Sequence, residues 1–234
     1  AITDRTRLIF INSPSNPTGA VYSREELAAL GEVLKKYPSV LIATDDMYEH
    51  ILWTDSPFVN IVNACPELYD RTIVMNGVSK AYSMTGWRIG YCGGPANIIA
   101  AMKKTQSQST SNPCSISQVA AEAALNGDQG CIAPMLKAFN ERHDFVVERL
   151  NAMNGVKCPP SDGTFYAFAD FRGAIANKDG ISNDLELADY LLNEAKVALV
   201  PGSAFGAEGY MRLSYATSMD NLDSALSRIE SALS

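Results

Sequence analysis

Four short, nearly continuous apolar runs do most to restrict the fold of this chain. They lie at residues 8–11, 40–43, 72–75 and 88–92, and helical patterns separate them. Strands with one face in water alternate polar and apolar residues, whereas continuous apolar strands are covered on both faces, as in parallel sheets flanked by helices. The first part of the chain is therefore predicted to be an α/β domain built on a mainly parallel sheet.

Helix signals fill the intervals between these runs. Ser23, with a glutamate three residues later, forms a capping box ahead of an apolar face, and Ser115 with a following glutamine suggests a second. A longer helical pattern over residues 134–153 is predicted to connect two domains. His143 falls on its apolar stripe, so we expect a packed histidine rather than a catalytic one.

The remainder of the chain is predicted to form a small α+β domain. Residues 164–171 and 211–215 have the composition of strands, and the final stretch has an apolar helical face behind a likely cap at Ser218, a residue type favoured at helix N-termini. We place the boundary so that residues 1–145 belong to the larger domain and residues 146–234 to the smaller one.

Composition excludes several classes of partner. The net charge is -7, and 47% of the residues are apolar, which argues against nucleic acid or an anionic membrane surface, because both need basic patches. The five cysteines are scattered without close pairs and there are only two histidines, so we predict neither disulfides nor a metal site. Cysteines of this kind are typical of a reducing compartment, and we expect a cytoplasmic protein.

Three polar residues follow three of the predicted strands. Asn16 comes after the first, Asp45 ends the second and Lys80 follows the third. Because ligands of parallel α/β sheets bind outside the carboxyl ends of the strands, we expect all three to face one crevice. Small residues around Lys80 would admit a flat ligand, and Arg88, eight positions on, offers a planar fork of donors suited to a phosphate.

Residues 77–90, with the sequence GVSKAYSMTGWRIG, resemble the lysine signature of the class I aminotransferases, which are pyridoxal-phosphate enzymes of fold type I. The resemblance implies that Lys80 is the Schiff-base lysine and that it moves a proton at the substrate α-carbon. It also implies that Arg88 binds the cofactor phosphate, with Ser79 as a further hydroxyl contact. The resemblance further implies that the chain adopts the α/β fold of type I, followed by a small α+β C-terminal domain.

Two further motifs are similar to those of the same family. The turn Asn-Pro-Thr-Gly that begins at Asn16 resembles a turn whose asparagine contacts the cofactor ring oxygen and the substrate. Asp45 and Tyr48 match an Asp-x-x-Tyr pair, which implies a carboxylate at the pyridine nitrogen and a phenol at the ring oxygen. Residues 210–216 resemble the stretch whose arginine binds the substrate α-carboxylate, and this assigns Arg212.

Each of these residues has a structural alternative when it is taken alone. Asparagine followed by proline is common in turns, and Asp45 could cap a helix. Lys80 could be a solvated surface lysine, and Arg212 could belong to a structural ion pair. Their occurrence together, in family order over nearly the whole chain, favours the pyridoxal-phosphate site.

The family pattern begins well before residue 1, so we expect an N-terminally truncated chain that lacks more than a hundred family residues. The missing residues include the rest of the phosphate-binding site. Within the chain, Gly77 stands where some family members carry a phosphate-binding serine. We expect residues 1–234 alone to bind the cofactor weakly and to have little or no turnover. The family's shared active sites imply a homodimer.

Aspartate and 2-oxoglutarate are the first expectation for the amino-acid and 2-oxo-acid substrates, because the stretch resembles bacterial aspartate aminotransferases. Aromatic amino acids or prephenate are the alternative within the enzyme class. A different alternative is the aminotransferase-like domain of a transcription regulator, which would carry a DNA-binding domain upstream. The acidic charge and the intact set of candidate residues favour the enzyme.

Overall fold

The computed structural model describes all 234 residues, and they form two compact units. The first unit contains residues 1–14 and 21–134, and the second contains residues 15–20 and 135–234. The second unit is therefore discontinuous in sequence, because the loop at 15–20 folds with residues from the far half of the chain.

The first unit is built on a four-stranded sheet. Its strands follow one another in space as they do along the chain: β1 (Leu8–Asn12), β2 (Leu41–Asp45), β3 (Thr72–Gly77) and β4 (Gly90–Gly93). The β1–β2 and β2–β3 pairs are parallel, with Asn12 opposite Asp45 and Asp45 opposite Met75. The β3–β4 pair is antiparallel. The mainly parallel α/β sheet is thus confirmed, with one antiparallel edge strand.

Coverage of the strands differs from the prediction at the two edges of this sheet. Strand β2 is largely buried, but Phe10 on β1 and Tyr91 on β4 are exposed. The fourth strand also begins at Gly90 rather than at Arg88, because Arg88 adopts a left-handed conformation with φ 51° that no regular strand contains. The apolar run at 88–92 therefore starts two residues before the strand that it forms.

Helix α1 (Arg24–Lys35) packs its apolar face into the core of the first unit. The capping box predicted at Ser23 is present, since its side chain accepts from the Glu26 amide and the Glu26 carboxylate accepts from the Ser23 amide. Leu27 and Leu34 are buried in one cluster with Ile42. Arg71 donates to the carbonyls of Leu34, Tyr37 and Val40 at 2.6–2.8 Å, which satisfies one backbone acceptor in the last turn of the helix and two just beyond it.

The other helices of the first unit are α2 (Ile61–Ala64), α3 (Ala96–Ser109) and α4 (Ser115–Asn126), with single 3-10 segments at Pro66–Arg71 and Thr85–Trp87. The capping box predicted at Ser115 is wrong. The cap residue is Cys114, which makes no side-chain cap hydrogen bond, and Gln118 instead donates to the Pro113 carbonyl. Because Ser115 already has helical geometry, its hydroxyl is one position too late to act as the cap.

The second unit combines helices with a small antiparallel sheet. The sheet has the order β5-β7-β6, formed by β5 (Tyr166–Asp170), β6 (Val200–Pro201) and β7 (Tyr210–Ser214). The helices are α5 (Ile132–Asn151), α6 (Arg172–Asn177), α7 (Asp184–Tyr190) and α8 (Met219–Leu233). A short π-helix at Leu191–Ala195 directly follows α7. The division between the units at 134/135 assigns nearly all of α5 to the second unit, whereas the sequence-based boundary at 145/146 falls inside that helix.

His143 lies in the core of the second unit. Its ring is buried, Nε2 accepts from the Ser161 amide at 2.9 Å, and Nδ1 lies 2.9 Å from an Asp144 carboxylate oxygen. Since Nε2 accepts, Nδ1 carries the proton in the neutral ring. This is the packed histidine that the helical spacing predicted. No helix in either unit combines the length and the apolar character needed to cross a membrane.

Candidate active site

Lys80 lies in the loop that follows β3. Its neighbours Val78 and Ala81 are buried, and Lys80 itself is half-buried. Its Nζ atom lies 5.8 Å from the centre of the Tyr48 ring, within the range of a cation–π contact. The contact places the Lys80 amine beside the turn that carries Tyr48, and the role of Lys80 as the Schiff-base lysine stays a prediction.

Asp45 is the last residue of β2, at the carboxyl end of the strand next to β3. Its Oδ1 accepts from the Met47 amide at 3.2 Å, and its carbonyl accepts from the Asn12 side chain at 3.3 Å. The chain then enters turns over residues 47–50 rather than a helix, so Asp45 is not a helix cap. The turn buries the Tyr48 ring. The three residues Asp45, Tyr48 and Lys80 therefore lie at the carboxyl ends of the strands, where ligands of parallel sheets bind.

Arg88 and Ser79 complete the candidate residues of the first unit. Arg88 follows the short 3-10 turn at Thr85–Trp87, its guanidinium is exposed, and Nη1 donates to the Thr85 carbonyl at 2.9 Å. That hydrogen bond uses one of five donors, so the remaining N–H groups are chemically suited to a phosphate. Ser79 is half-buried directly before Lys80. Their role at a phosphate stays a prediction.

Gly77 is required by close packing at the end of β3. A Cβ atom at this position would lie 3.0 Å from the Met47 Cε atom and 3.2 Å from the Gly90 Cα atom. The first contact involves the turn that carries Tyr48, and the second involves the antiparallel neighbour strand. The serine that some family members carry here would not fit without movement, so the glycine brings three segments of the site close together.

Arg212 lies on the central strand β7 of the second unit. Its guanidinium carbon is 4.4 Å from the centre of the Tyr166 ring and 5.1 Å from the centre of the Phe205 ring. Nη1 donates to the Asn16 Oδ1 atom at 2.7 Å, and Nε is buried without a hydrogen-bond partner. Buried donors are almost always paired. An unpaired one on a charged group indicates a position for an anionic ligand.

The turn that begins at Asn16 is held by the second unit. Gly19 has φ +70°, and a Cβ atom there would lie 2.6 Å from the Gly163 carbonyl oxygen. The Gly19 amide donates to the Ser15 carbonyl at 2.8 Å. Asn16 therefore supports Arg212 from a rigid turn, and the alternative of a turn without a further role accounts for Gly19 but not for the side-chain hydrogen bond.

The sequence did not reveal four residues that support the candidates. Tyr166 and Phe205 enclose Arg212, and Phe205 belongs to the Gly-Ser-Ala-Phe-Gly segment at residues 202–206. Glu49 and Asn76 form a hydrogen bond beside Tyr48. None of the four shows a periodicity or a spacing that would predict a site, because their contacts with Arg212 and with each other form only when the chain folds.

Comparison with known proteins identifies the class to which this fold and these residues belong. The family described as aminotransferase class I and II matches residues 1–229, and the chain belongs to this family. Both the family resemblance and the fold expected from the sequence are confirmed.

Among individual relatives, the aspartate/prephenate aminotransferase of Nitrosomonas europaea is 65% identical over 239 residues, covering 100% of this chain and 60% of that protein. The aspartate aminotransferase of Rhizobium meliloti is 49% identical, covering 99% and 58%. The crystal structure of the Rhizobium meliloti aspartate aminotransferase superimposes with a TM-score of 0.93 at 48% identity, covering 99% of this chain and 59% of that one. An aromatic aminotransferase from Pyrococcus horikoshii gives 0.90 at 36% identity, covering 99% and 61%. The chain thus spans about 60% of the length of these relatives.

Proposed function

We propose that this chain acts in a pyridoxal-phosphate-dependent aminotransferase that moves an amino group between aspartate and 2-oxoglutarate. The observation that carries the proposal is the common position of Asp45, Tyr48 and Lys80. Asp45 ends β2 and Lys80 follows β3, the neighbouring parallel strand. The Lys80 amine lies 5.8 Å from the centre of the Tyr48 ring. Few other cofactors need an amine, a carboxylate and a phenol together at one sheet edge.

The donor set fits pyridoxal phosphate group by group. An amine suits the aldehyde, a carboxylate suits the protonated ring nitrogen, a phenol suits the ring oxygen and a guanidinium suits the phosphate. Lys80, Asp45, Tyr48 and Arg88 supply these groups, with Ser79 as a further phosphate ligand. The absence of a side chain at Gly77 keeps the segments that carry Tyr48 and Lys80 close.

Bound pyridoxal phosphate supplies an electron sink for negative charge at the substrate α-carbon. The Asp45 carboxylate holds a proton on the ring nitrogen, and the Tyr48 hydroxyl donates toward the ring oxygen. The Lys80 Nζ atom would move a proton between the substrate α-carbon and the cofactor, as a general base when it takes the proton and as a general acid when it gives it up. We keep Asn16 as a predicted ligand of both the ring oxygen and the substrate.

Arg212 is proposed to bind the substrate α-carboxylate. Asn16 occupies Nη1 and so leaves the Nε–Nη2 edge of the guanidinium, where the unpaired Nε lies. The Arg172–Asp170 pair of this chain uses the same edge, with Nε and Nη2 at 2.9 and 2.6 Å from the two carboxylate oxygens. A two-point contact of this kind fixes the orientation of an amino acid and of its oxo acid alike.

Prephenate is the second candidate substrate, because the Nitrosomonas europaea relative is named an aspartate/prephenate aminotransferase. The choice between the two depends on contacts to the far end of the substrate. The resemblance further supports a homodimer in the cytoplasm, and we propose both for the whole protein.

The test is to load the purified full-length protein, rather than residues 1–234 alone, with pyridoxal phosphate, reduce it with borohydride and map the modified residue by mass spectrometry. We expect one stoichiometric adduct at Lys80, lost in Lys80→Ala and retained in Lys103→Ala, a matched change at an exposed lysine of α3. Transamination of aspartate and of prephenate is then compared under the same conditions. Adducts scattered over surface lysines, together with no transfer from either donor, would contradict the proposal.

A further inference from the structure

The turn that carries Tyr48 leaves the sheet beside the loop that carries Lys80. The Asp46 amide donates to the Met75 carbonyl at 2.9 Å, which is the last backbone hydrogen bond between the two segments along this edge. Beyond it, β2 has ended, while β3 continues through Asn76 and Gly77. Side chains must therefore hold the two segments together past this point.

One side-chain hydrogen bond does this. The Asn76 Nδ2 atom donates to the Glu49 Oε1 atom at 2.6 Å, and the Asn76 Oδ1 atom accepts from the Gly77 amide at 2.7 Å. Glu49 directly follows Tyr48, and Asn76 precedes Lys80 by four residues. The Asn76 side chain is thus held at both ends, and the acceptor is a carboxylate, so the bond is of the stronger, charge-assisted kind.

Burial and packing favour this arrangement over a freely moving surface contact. Glu49 and Asn76 are both half-buried, and the Glu49 side chain is 30% exposed. Met47, in the same turn, packs closely against Gly77, where an added Cβ atom would lie 3.0 Å from the Met47 Cε atom. The Glu49 carboxylate also lies 3.5 Å from the His50 ring. Neither Glu49 nor Asn76 belongs to the donor set proposed for the cofactor.

We propose that Glu49 and Asn76 are a pair of positioning residues that hold the Tyr48 ring opposite the Lys80 amine. The inference rests on the proposed function, because it assigns the pair to the reaction of that site. Loss of the hydrogen bond lets the Tyr48 turn move away from the Lys80 loop, so the phenol is no longer placed to donate toward the ring oxygen of the cofactor that Lys80 would hold. Small misplacements of reacting groups have large effects on rate.

The experiment compares Glu49→Ala, Asn76→Ala, the double variant and Glu49→Gln in the purified protein. We expect either alanine variant to lower kcat about tenfold, the loss typical of one charge-assisted hydrogen bond, with KM for the amino donor changed less than about twofold. Glu49→Gln keeps an oxygen acceptor for Asn76 and should retain kcat within about threefold. The double variant should be no slower than either single one, because both remove the same bond.

Two further measurements separate positioning from general stability. The pH dependence of the visible absorption of the cofactor-loaded protein should shift in the alanine variants and return toward the wild-type curve in Glu49→Gln. The thermal midpoint should change little in Glu49→Ala. Glu25→Ala, which removes an exposed carboxylate from the first turn of α1, is the control for loss of charge.

The outcomes are distinct. Unchanged kcat and absorption in Glu49→Ala would overturn the positioning role, as would equal losses in Glu49→Gln and Glu49→Ala, since the charge rather than the bond would then matter. Both results presuppose wild-type protein that transaminates and labels at Lys80. Wild-type protein that does neither would overturn the proposed function, and this inference with it.

Discussion

Replacing Arg212 with lysine separates the planar fork of the guanidinium from its positive charge. Lysine keeps the charge but has a single nitrogen, so it cannot contact Asn16 and bind a carboxylate at two points at once. It also loses the flat stacking between the rings at 4.4 and 5.1 Å. One lost charge-assisted hydrogen bond and part of the stacking together amount to about 2–3 kcal/mol, which corresponds to a decrease in kcat/KM of about 30- to 150-fold.

The assay is steady-state transamination with aspartate, repeated with an amine that lacks the α-carboxylate. The loss should be large for aspartate and small for the second donor, since only aspartate uses the Nε–Nη2 edge. Arg172→Lys is the matched control, because its pair with Asp170 lies on a side chain that is 64% exposed and should matter little. A loss below about threefold in Arg212→Lys, or an equal loss for both donors, would refute the assignment of Arg212 to the carboxylate.

Three further predictions concern stability and are checked by urea unfolding. Arg71→Ala removes three hydrogen bonds to backbone carbonyls at the C-terminal end of α1 and just beyond it. It should cost about 2–3 kcal/mol, and a cost under about 0.5 kcal/mol would contradict that role. Gly77→Ala forces its Cβ atom against Met47 and should cost about 1–3 kcal/mol, whereas an unchanged midpoint would show that the neighbours yield freely. Burial raises the pKa of Asp46 above its ordinary value, against the opposing effect of the hydrogen bonds from Asn60 and Thr44. The stability that this carboxyl group contributes is therefore fully present below the ordinary pKa of an aspartate and is lost as the pH rises through the raised value. Asp46→Asn should gain stability relative to wild type as the pH rises through that range, and a difference that does not change with pH would count against it.

Features that depend on local sequence were predictable, and those that depend on distant contacts were not. The strands followed from apolar runs, and the cap at Ser23 followed from its glutamate partner, because both are determined within a few residues. The antiparallel direction of β4 depends on how the chain returns to β3, and no local pattern encodes that return. Ser115 failed as a cap because helix starts shift by a residue at little cost.

The candidate site divides in the same way. Residue type and order were sufficient to select Asp45, Tyr48 and Lys80, since chemistry limits which side chains can do each task. The rings around Arg212 and the Glu49–Asn76 bond were missed, because an aromatic or an amide has many structural uses. The roles of Ser79 and Arg88 at a phosphate stay predictions.

The discontinuity of the second unit has a consequence for how the protein matures on the ribosome. Asn16 precedes its partner Arg212 by 196 residues, so it leaves the ribosome long before the side chain that it contacts. Domains generally fold as units as the chain emerges, the N-terminal portion first. The turn at Asn16 must therefore wait for its hydrogen bond to Arg212 until that residue has emerged, and by then all four strands of the lysine-bearing sheet have already been synthesised.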